Sequence, residues 1–328
     1  MDSAVTPSQA TINHDTALVW DMHACLPLRL DADVTALDRY TASGATFVSV
    51  NVGMDFTPLS DAVKMLAHFR AGVLAHPDRY VLVQTADDVL AAQHAGKLGV
   101  AFDLEGASII DGQLSMLALL YRLGVRCMLL AYNRNNALAA GCAGEDTGLT
   151  ALGRQVIVEM NAVGMMVDCT HTGHHSSLEI MEVSTQPVIF SHSNPAAVWE
   201  HFRNIKDDQI RACAATGGVI GITGVSWFLG DQLAQTEALV RHIDYVAQLV
   251  GPQHVGLGLD YVVDQSEAQD VAERWPQLVP PGMAGMAFAR PEQLPEIAEA
   301  LLRQGYTDEM VSGVMGRNFL RVARQVWQ

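Results

Sequence analysis

The chain has 328 residues, 49% of them hydrophobic and 17% charged, with a formal net charge of −16. That length can bury a sizeable core, as one large α/β domain or as two smaller ones. So acidic a surface repels nucleic acid and anionic membranes, which leaves small molecules, metals and further copies of the chain, as in a homodimer, as partners.

Taken in order, the first 15 or so residues, "MDSAVTPSQATINHD", form a polar lead-in with no basic start, apolar core or cleavage pattern. Eight short apolar runs follow, at 16–23, 46–53, 98–106, 126–132, 165–171, 188–193, 218–225 and 255–261. Each has the length and two-sided apolarity of a buried strand. Helical patterns lie between them. Residues 58–76 form one; 150–164 has Thr150 at a cap position and Gly164 at its end; 236–251 is a third. Strands alternating with helices predict a single parallel (β/α)8 barrel domain of the TIM type, and no Gly-rich phosphate loop follows the first strand to favour an open doubly wound sheet. The stretch 262–292, rich in Pro and Gly, reads as a long loop over the barrel mouth. No apolar run is long enough to span a membrane. The five cysteines, Cys25, Cys127, Cys142, Cys169 and Cys213, are scattered and odd in number, which argues against a disulfide framework and for a reducing, cytoplasmic setting.

Polar residues gather where these strands end: His23 and Cys25 in "WDMHACL", Glu105 in "FDLEG", His171 in "VDCTH", His192 in "FSHS" and Asp260 in "GLGLD". In a barrel these ends converge on one mouth. Two histidines and a carboxylate are a common metal set; His23 and Cys25, two apart and so on one strand face, offer a second. Asp260, the lone carboxylate of an apolar run, is a candidate general acid or base. A single His after a strand is more often a structural residue, so the weight falls on the recurrence across strands. His174 and His175 read as exposed loop residues, and His68, His76, His94 and His242 as surface residues of helices or loops.

The segments "GLTALGRQVIVEMNAVGMMVDCTHTG" and "PVIFSHSNPAAVWEHFRNIKDDQI", with "MGRNFLRV" further on, give the chain its clearest likeness. From about residue 16 to its last residue it resembles the membrane (renal) dipeptidase family, metal-dependent dipeptidases of the amidohydrolase superfamily. The resemblance implies that His171 and His192 bind one zinc, that Glu105 bridges to a second, and that His23 and the residue at 25 bind that second ion. One or two zinc ions would then activate a bridging hydroxide and polarise the scissile amide. It also implies that Asp260 carries the proton to the leaving amine and that Arg203 clamps the substrate carboxylate, for which its planar fork is suited. The structural alternative for Arg203 is a surface pairing with Asp207 or Asp208.

Two positions depart from the family pattern. Cys25 stands where the family has Asp, and a thiolate binds zinc at about 2.3 Å rather than the 2.0–2.2 Å of a carboxylate. Tyr132 stands where the family often has a His that holds the reacting carbonyl oxygen; its hydroxyl can donate to the same oxygen. The expected activity is hydrolysis of a dipeptide amide. Another small amide, such as an N-acyl amino acid, suits the same site. With Cys25 at the second metal, so does a family member that binds a ligand without cleaving dipeptides.

Overall fold

A computed structural model describes residues 18–266, 273, 276–283 and 285–328. The lead-in at about 1–15 lies outside the described residues, as does part of the 262–292 segment. The parallel strands are β1 (Trp20–Cys25), β2 (Phe47–Met54), β3 (Tyr80–Leu82), β4 (Leu98–Glu105), β5 (Val125–Leu129), β6 (Met166–Asp168), β7 (Val188–Ile189), β8 (Ile220–Ile222), β9 (Val255–Leu257) and β10 (Tyr261–Val262). Pairing runs β1–β2–β4–β5–β6–β7. Phe190 bridges to Ile220 on β8, which pairs with β9. The chain then returns to β1 through Asp260 N–H to His23 O at 3.0 Å and through β10, whose Tyr261 pairs with Ala24. The pairings therefore run once around a barrel, with the short β3 flanking only the first half of β4.

Strand patterning explains the layers. On β2, Val48, Val50 and Val52 pack outward against the helices, whereas Phe47 belongs to a separate inner cluster. On β4, Val100, Phe102 and Leu104 pack outward and Ala101 faces in. The helices follow the expected punctuation. Ala151–Val163 begins with the Thr150 hydroxyl accepting Gly153 N–H at 3.0 Å and ends at left-handed Gly164. Leu59–Ala75 and Thr236–Val250 also form where their patterns place them.

The "MGRNFLRV" segment works at the far end of the barrel. The helix Asn318–Val326 seals the N-terminal ends of the strands. Asn318 Nδ2 donates to Pro252 O and Val255 O, each at 2.8 Å, and so ties the helix to the start of β9. Phe319 enters the inner cluster over Gly256, where a Cβ would stand 2.3 Å from its ring. No helix among the described residues is long and apolar enough to cross a membrane.

Candidate metal centre

The inner faces of β2 and β4 turn polar toward their C-terminal ends. β2 runs Phe47, Ser49, Asn51, and β4 runs Ala101, Asp103, Glu105, all buried. β1 breaks the alternation. Met22 belongs to the inner cluster, yet the adjacent His23 also reaches the centre, because the β1–β2 register shifts between Asp21 and Ala24. Such an irregularity re-aims a side chain. Three residues at the strand ends, Asn133, His171 and Asp260, hold left-handed backbone with φ of 58°, 63° and 56°. Non-glycine residues in that region cost of order 1 kcal/mol or more and collect where function needs them.

Three imidazoles converge on one carboxylate oxygen. Glu105 Oε1 lies 3.5 Å from His23 Nε2, 3.3 Å from His171 Nε2 and 3.5 Å from His192 Nε2, and the last two nitrogens are 3.0 Å apart. Each opposite ring nitrogen faces a polar neighbour. His192 Nδ1 meets Ser191 Oγ at 2.8 Å, His171 Nδ1 meets Asn133 Oδ1 at 2.7 Å, and His23 Nδ1 stands 3.1 Å from Asp103 Oδ1 in a close contact off the hydrogen-bond line. Asp103 in turn accepts the Ser49 hydroxyl at 2.6 Å, and Asn51 Nδ2 donates to Glu105 Oε2. Outer partners that turn every Nε2 inward are the arrangement of a metal-binding histidine set. Cys25 Sγ lies 3.6 Å from His23 Nε2 and 3.9 Å from Asp260 Oδ1, which is itself 3.6 Å from His23 Nε2. Two ligand-type groups result, Glu105–His171–His192 and His23–Cys25–Glu105, with Asp260, His23 and His192 forming a third overlapping one.

The electrostatics of the protein alone favour a cation here. Burial pushes the Glu105 carboxyl up to about 8 and raises Asp260 as well. It pushes the Cys25 thiol up to about 12. Burial works against a charged His23, but the Asp103 and Glu105 carboxylates outweigh it and hold that imidazole well above its ordinary range. His171 and His192 are driven well below theirs, first by burial and then by positive neighbours including Arg203. The neutral His171 and His192 imidazoles beside buried carboxylates and a thiol fit a divalent metal, whose charge would displace the proton from His23 and reverse the pressure on the carboxylates and the thiol.

Arg203 is only 2% exposed and does not pair with Asp207 or Asp208. Its guanidinium points at the centre: Nε to His171 Nδ1 at 3.1 Å, Nη1 to Ser193 Oγ at 3.2 Å and Nη2 to His192 O at 3.0 Å. Asp207 instead accepts the Tyr245 hydroxyl, and Asp208 meets His174 Nε2 at 2.7 Å. Tyr132 is buried with its ring 4.2 Å from that of His171, and burial, then the Glu105 charge, holds its phenol well above the ordinary range. Beside Arg203 and His171 a cavity of about 410 Å³ opens between the loops after β5, β6 and β7.

The histidine readings need two corrections. His242 is fully buried on the inner face of Thr236–Val250, where Nε2 meets Leu229 O at 3.2 Å; it follows Leu239 by one short turn and is not a surface residue. His174 and His175 open the helix His174–Val183 rather than lying in a loop, and both remain partly solvent-accessible. Ser49, Asn51, Asp103 and Asn133 escaped sequence reasoning. The first three carry a signal, since polar residues at inward parity in otherwise apolar strands must be hydrogen-bonded to something.

A match to the membrane dipeptidase family (peptidase family M19) spans residues 15–328. An uncharacterised dipeptidase of Schizosaccharomyces pombe is 32% identical over 277 residues, 81% of this chain and 62% of that protein. The dipeptidase tcpJ of Claviceps purpurea is 30% identical over 256 residues, 76% of this chain and 56% of its own length. The chain thus spans little more than half the length of these curated relatives. Among solved structures, an amidohydrolase from Pseudomonas aeruginosa superposes with a TM-score of 0.88 at 26% identity, covering 96% of this chain and 98% of its own. A Rhodobacter sphaeroides metallopeptidase liganded with a phosphinate mimic of L-Ala-D-Ala shares the fold, with a TM-score of 0.80 at 22% identity over 95% of this chain and all of its own.

Proposed function

The chain belongs to the membrane dipeptidase family, and from that premise we propose that it is a zinc-dependent hydrolase that cleaves the amide bond of a dipeptide. The observation that carries the reading is the convergence of three Nε2 atoms on Glu105 Oε1, with the opposite ring nitrogens turned to Asp103, Asn133 and Ser191. His171, His192 and Glu105 would hold one ion; His23, Cys25 and Glu105 would hold a second. Imidazole, carboxylate and thiol donors together suit zinc better than magnesium or calcium. Zinc there supplies Lewis acidity and a water acidic enough to attack an amide near neutral pH.

The remaining groups handle substrate and protons. Asp260, whose carboxyl burial holds up, is placed to take a proton at Oδ1 and return it to the leaving amine. The Tyr132 phenol, kept protonated, donates toward the carbonyl oxygen as charge develops on it. His171 with Nε2 engaged carries its proton on Nδ1, which then donates to Asn133 Oδ1. The Arg203 Nε–H then has no acceptor on that ring and is free for a substrate carboxylate.

One feature supports a second reading, a member that binds a ligand without cleaving dipeptides: Cys25 stands where the family places Asp. The test combines elemental analysis of protein purified without added metal with amino-acid release from a dipeptide panel, for wild type and Cys25→Asp. The dipeptidase reading expects at least one zinc per chain, turnover by the wild type, and Cys25→Asp at least as fast with a second zinc. Zinc without turnover in the wild type, and turnover only in Cys25→Asp, would favour the second reading. Absence of zinc from both proteins would dismiss a metalloenzyme.

A further inference from the structure

We infer that Asp55, just past β2, is a positioning residue that holds the Tyr132–Asn133 turn and the loop after Glu105 in fixed relation. The inference rests on the metal-hydrolase reading but concerns a residue outside the ligand set. The Asp55 carboxylate accepts three hydrogen bonds from two other strand-end segments. Ser108 N–H reaches Oδ1 at 3.0 Å, and Tyr132 N–H and Asn136 Nδ2 each reach Oδ2 at 2.9 Å. Its own N–H donates to Glu105 O at 2.9 Å. One side chain thus joins the loops after β2, β4 and β5.

What it holds is a tight turn at the mouth with a left-handed residue inside it. Tyr132 enters a tight turn, closed by Arg134 N–H to Tyr132 O at 2.6 Å, with Asn133 left-handed at the next position. That turn aims Asn133 Oδ1 at His171 Nδ1 and sets the Tyr132 ring against His171. Asparagine tolerates left-handed backbone at modest cost, but the direction its side chain takes depends on how the turn is held at both ends. Asp55 fixes the turn from the Tyr132 side, while Ala143 N–H to Asn133 O at 2.8 Å fixes it from the other. The sequence makes room for the brace. At Gly106, directly after Glu105, φ is 128° and a Cβ would stand 2.2 Å from Asp55 Oδ1. A cavity of about 250 Å³, with Phe56, Tyr132 and Arg134 in its walls, opens beside Asp55.

A loop staple of purely structural value would lower stability and leave the chemistry alone. The positioning role differs in acting through Tyr132 and, by way of Asn133, through His171. The test uses Asp55→Ala, Asp55→Asn, which keeps one acceptor oxygen, Tyr132→Phe and the double variant. Phe319→Leu, at the other end of the barrel, serves as a control of comparable melting temperature. Zinc affinity is read by chelator competition, and kcat and KM on a dipeptide that the wild type cleaves. Asp55→Ala is expected to weaken zinc binding by about 10-fold, the scale for partners that orient metal ligands. It should lower kcat by up to about 100-fold, with Asp55→Asn between it and the wild type. In the Asp55→Ala background Tyr132→Phe should cost almost nothing further, and Phe319→Leu should show none of these losses. Unchanged zinc affinity in Asp55→Ala, independent and multiplying losses from Asp55→Ala and Tyr132→Phe, or equal losses in Phe319→Leu would each overturn the inference. A wild type that binds no zinc overturns both the inference and the reading beneath it. A wild type that binds zinc but cleaves no dipeptide overturns only the dipeptidase reading, because zinc affinity still decides Asp55. Should Asp55→Ala fail to fold, Asp55→Asn carries the same comparisons.

Discussion

At the N-terminal ends of β1 and β2 the barrel interior carries Trp20 and Phe47, with ring centres 3.9 Å apart, and Trp327 and Phe319 close over them at 5.7 and 6.3 Å from Trp20. Two turns of pleat further along the same strands, the interior carries His23 and Asn51 instead. The floor packs apolar surface against apolar surface, and its one buried polar atom without a partner among the described residues is the Trp327 indole Nε1. The mouth buries carboxylates, imidazoles and a thiol, and among the described residues His23 Nδ1, Asp103 Oδ1 and Asn133 Nδ2 lack hydrogen-bond partners. Unsatisfied buried polar atoms are tolerated where a ligand or ion completes them. The contrast separates the work of the two ends, stability below and chemistry above, as barrel enzymes generally divide it.

The sharpest way to break that division is to alter one group at each end. Glu105→Gln keeps the shape of the side chain on which the three imidazoles converge and removes its charge. It should cost on the order of 10³-fold in kcat/KM, about 4 kcal/mol, together with most of the bound zinc. Turnover and elemental analysis of one preparation check this, and a variant retaining both would move the chemistry elsewhere. Phe319→Ala, at the floor, should cost about 3–5 kcal/mol of stability in denaturant titration while kcat/KM per folded molecule holds. A stable but inactive Phe319→Ala would erase the distinction.

Arg203 sharpens the picture of the mouth. If it clamps a substrate carboxylate, Arg203→Ala should lose about 2–4 kcal/mol in kcat/KM, and amidating the substrate's C-terminus should hurt the wild type similarly. A variant treating free and amidated substrates as the wild type treats the free one would take Arg203 out of the site.

The smallest effect lies outside both ends. Burial pushes His242 down to about 4. Between its ordinary value near 6.5 and that lower one, the unfolded chain takes up a proton that the folded chain refuses, so stability falls as pH drops through this window. The loss reaches about 2 kcal/mol at pH 5 and levels off near 3 kcal/mol below pH 4. His242→Gln, with nothing to titrate and an amide that can still reach Leu229 O, should flatten the slope of stability against pH by up to one proton. Parallel wild-type and variant slopes between pH 4 and 6.5 would contradict it.

Much of this architecture can be read from residues alone. The apolar runs anticipate the barrel strands, and His23, Cys25, Glu105, His171, His192 and Asp260 stand at strand ends that the fold draws together. What escapes has physical reasons. The period-2 argument put His23 and Cys25 on one face, but that face joins Met22 inside the barrel only through the irregularity in β1, which no side-chain pattern announces. Asn133 holds His171 from a turn whose left-handed backbone lies between strands, where periodicity is silent. His242 was legible after all: Leu239, Ile243 and Val246 mark the buried stripe of its helix, and 242 falls within it. A polar residue on an apolar stripe is better read as a hydrogen-bonded core residue than as surface.

The floor also sets a schedule. The rings of Trp20 and Phe47 leave the ribosome roughly 300 residues before Phe319 and Trp327, which cover them. During synthesis the first two strands therefore display an aromatic surface with no partner yet made. The last contacts of the inner cluster are among the most distant in sequence, so closing them carries a large loop-closure entropy and waits on synthesis of the far helix. A nascent barrel of this design passes through a stage with its base open and adhesive, and chaperone capture or self-association at that stage competes directly with arrival of the sealing helix.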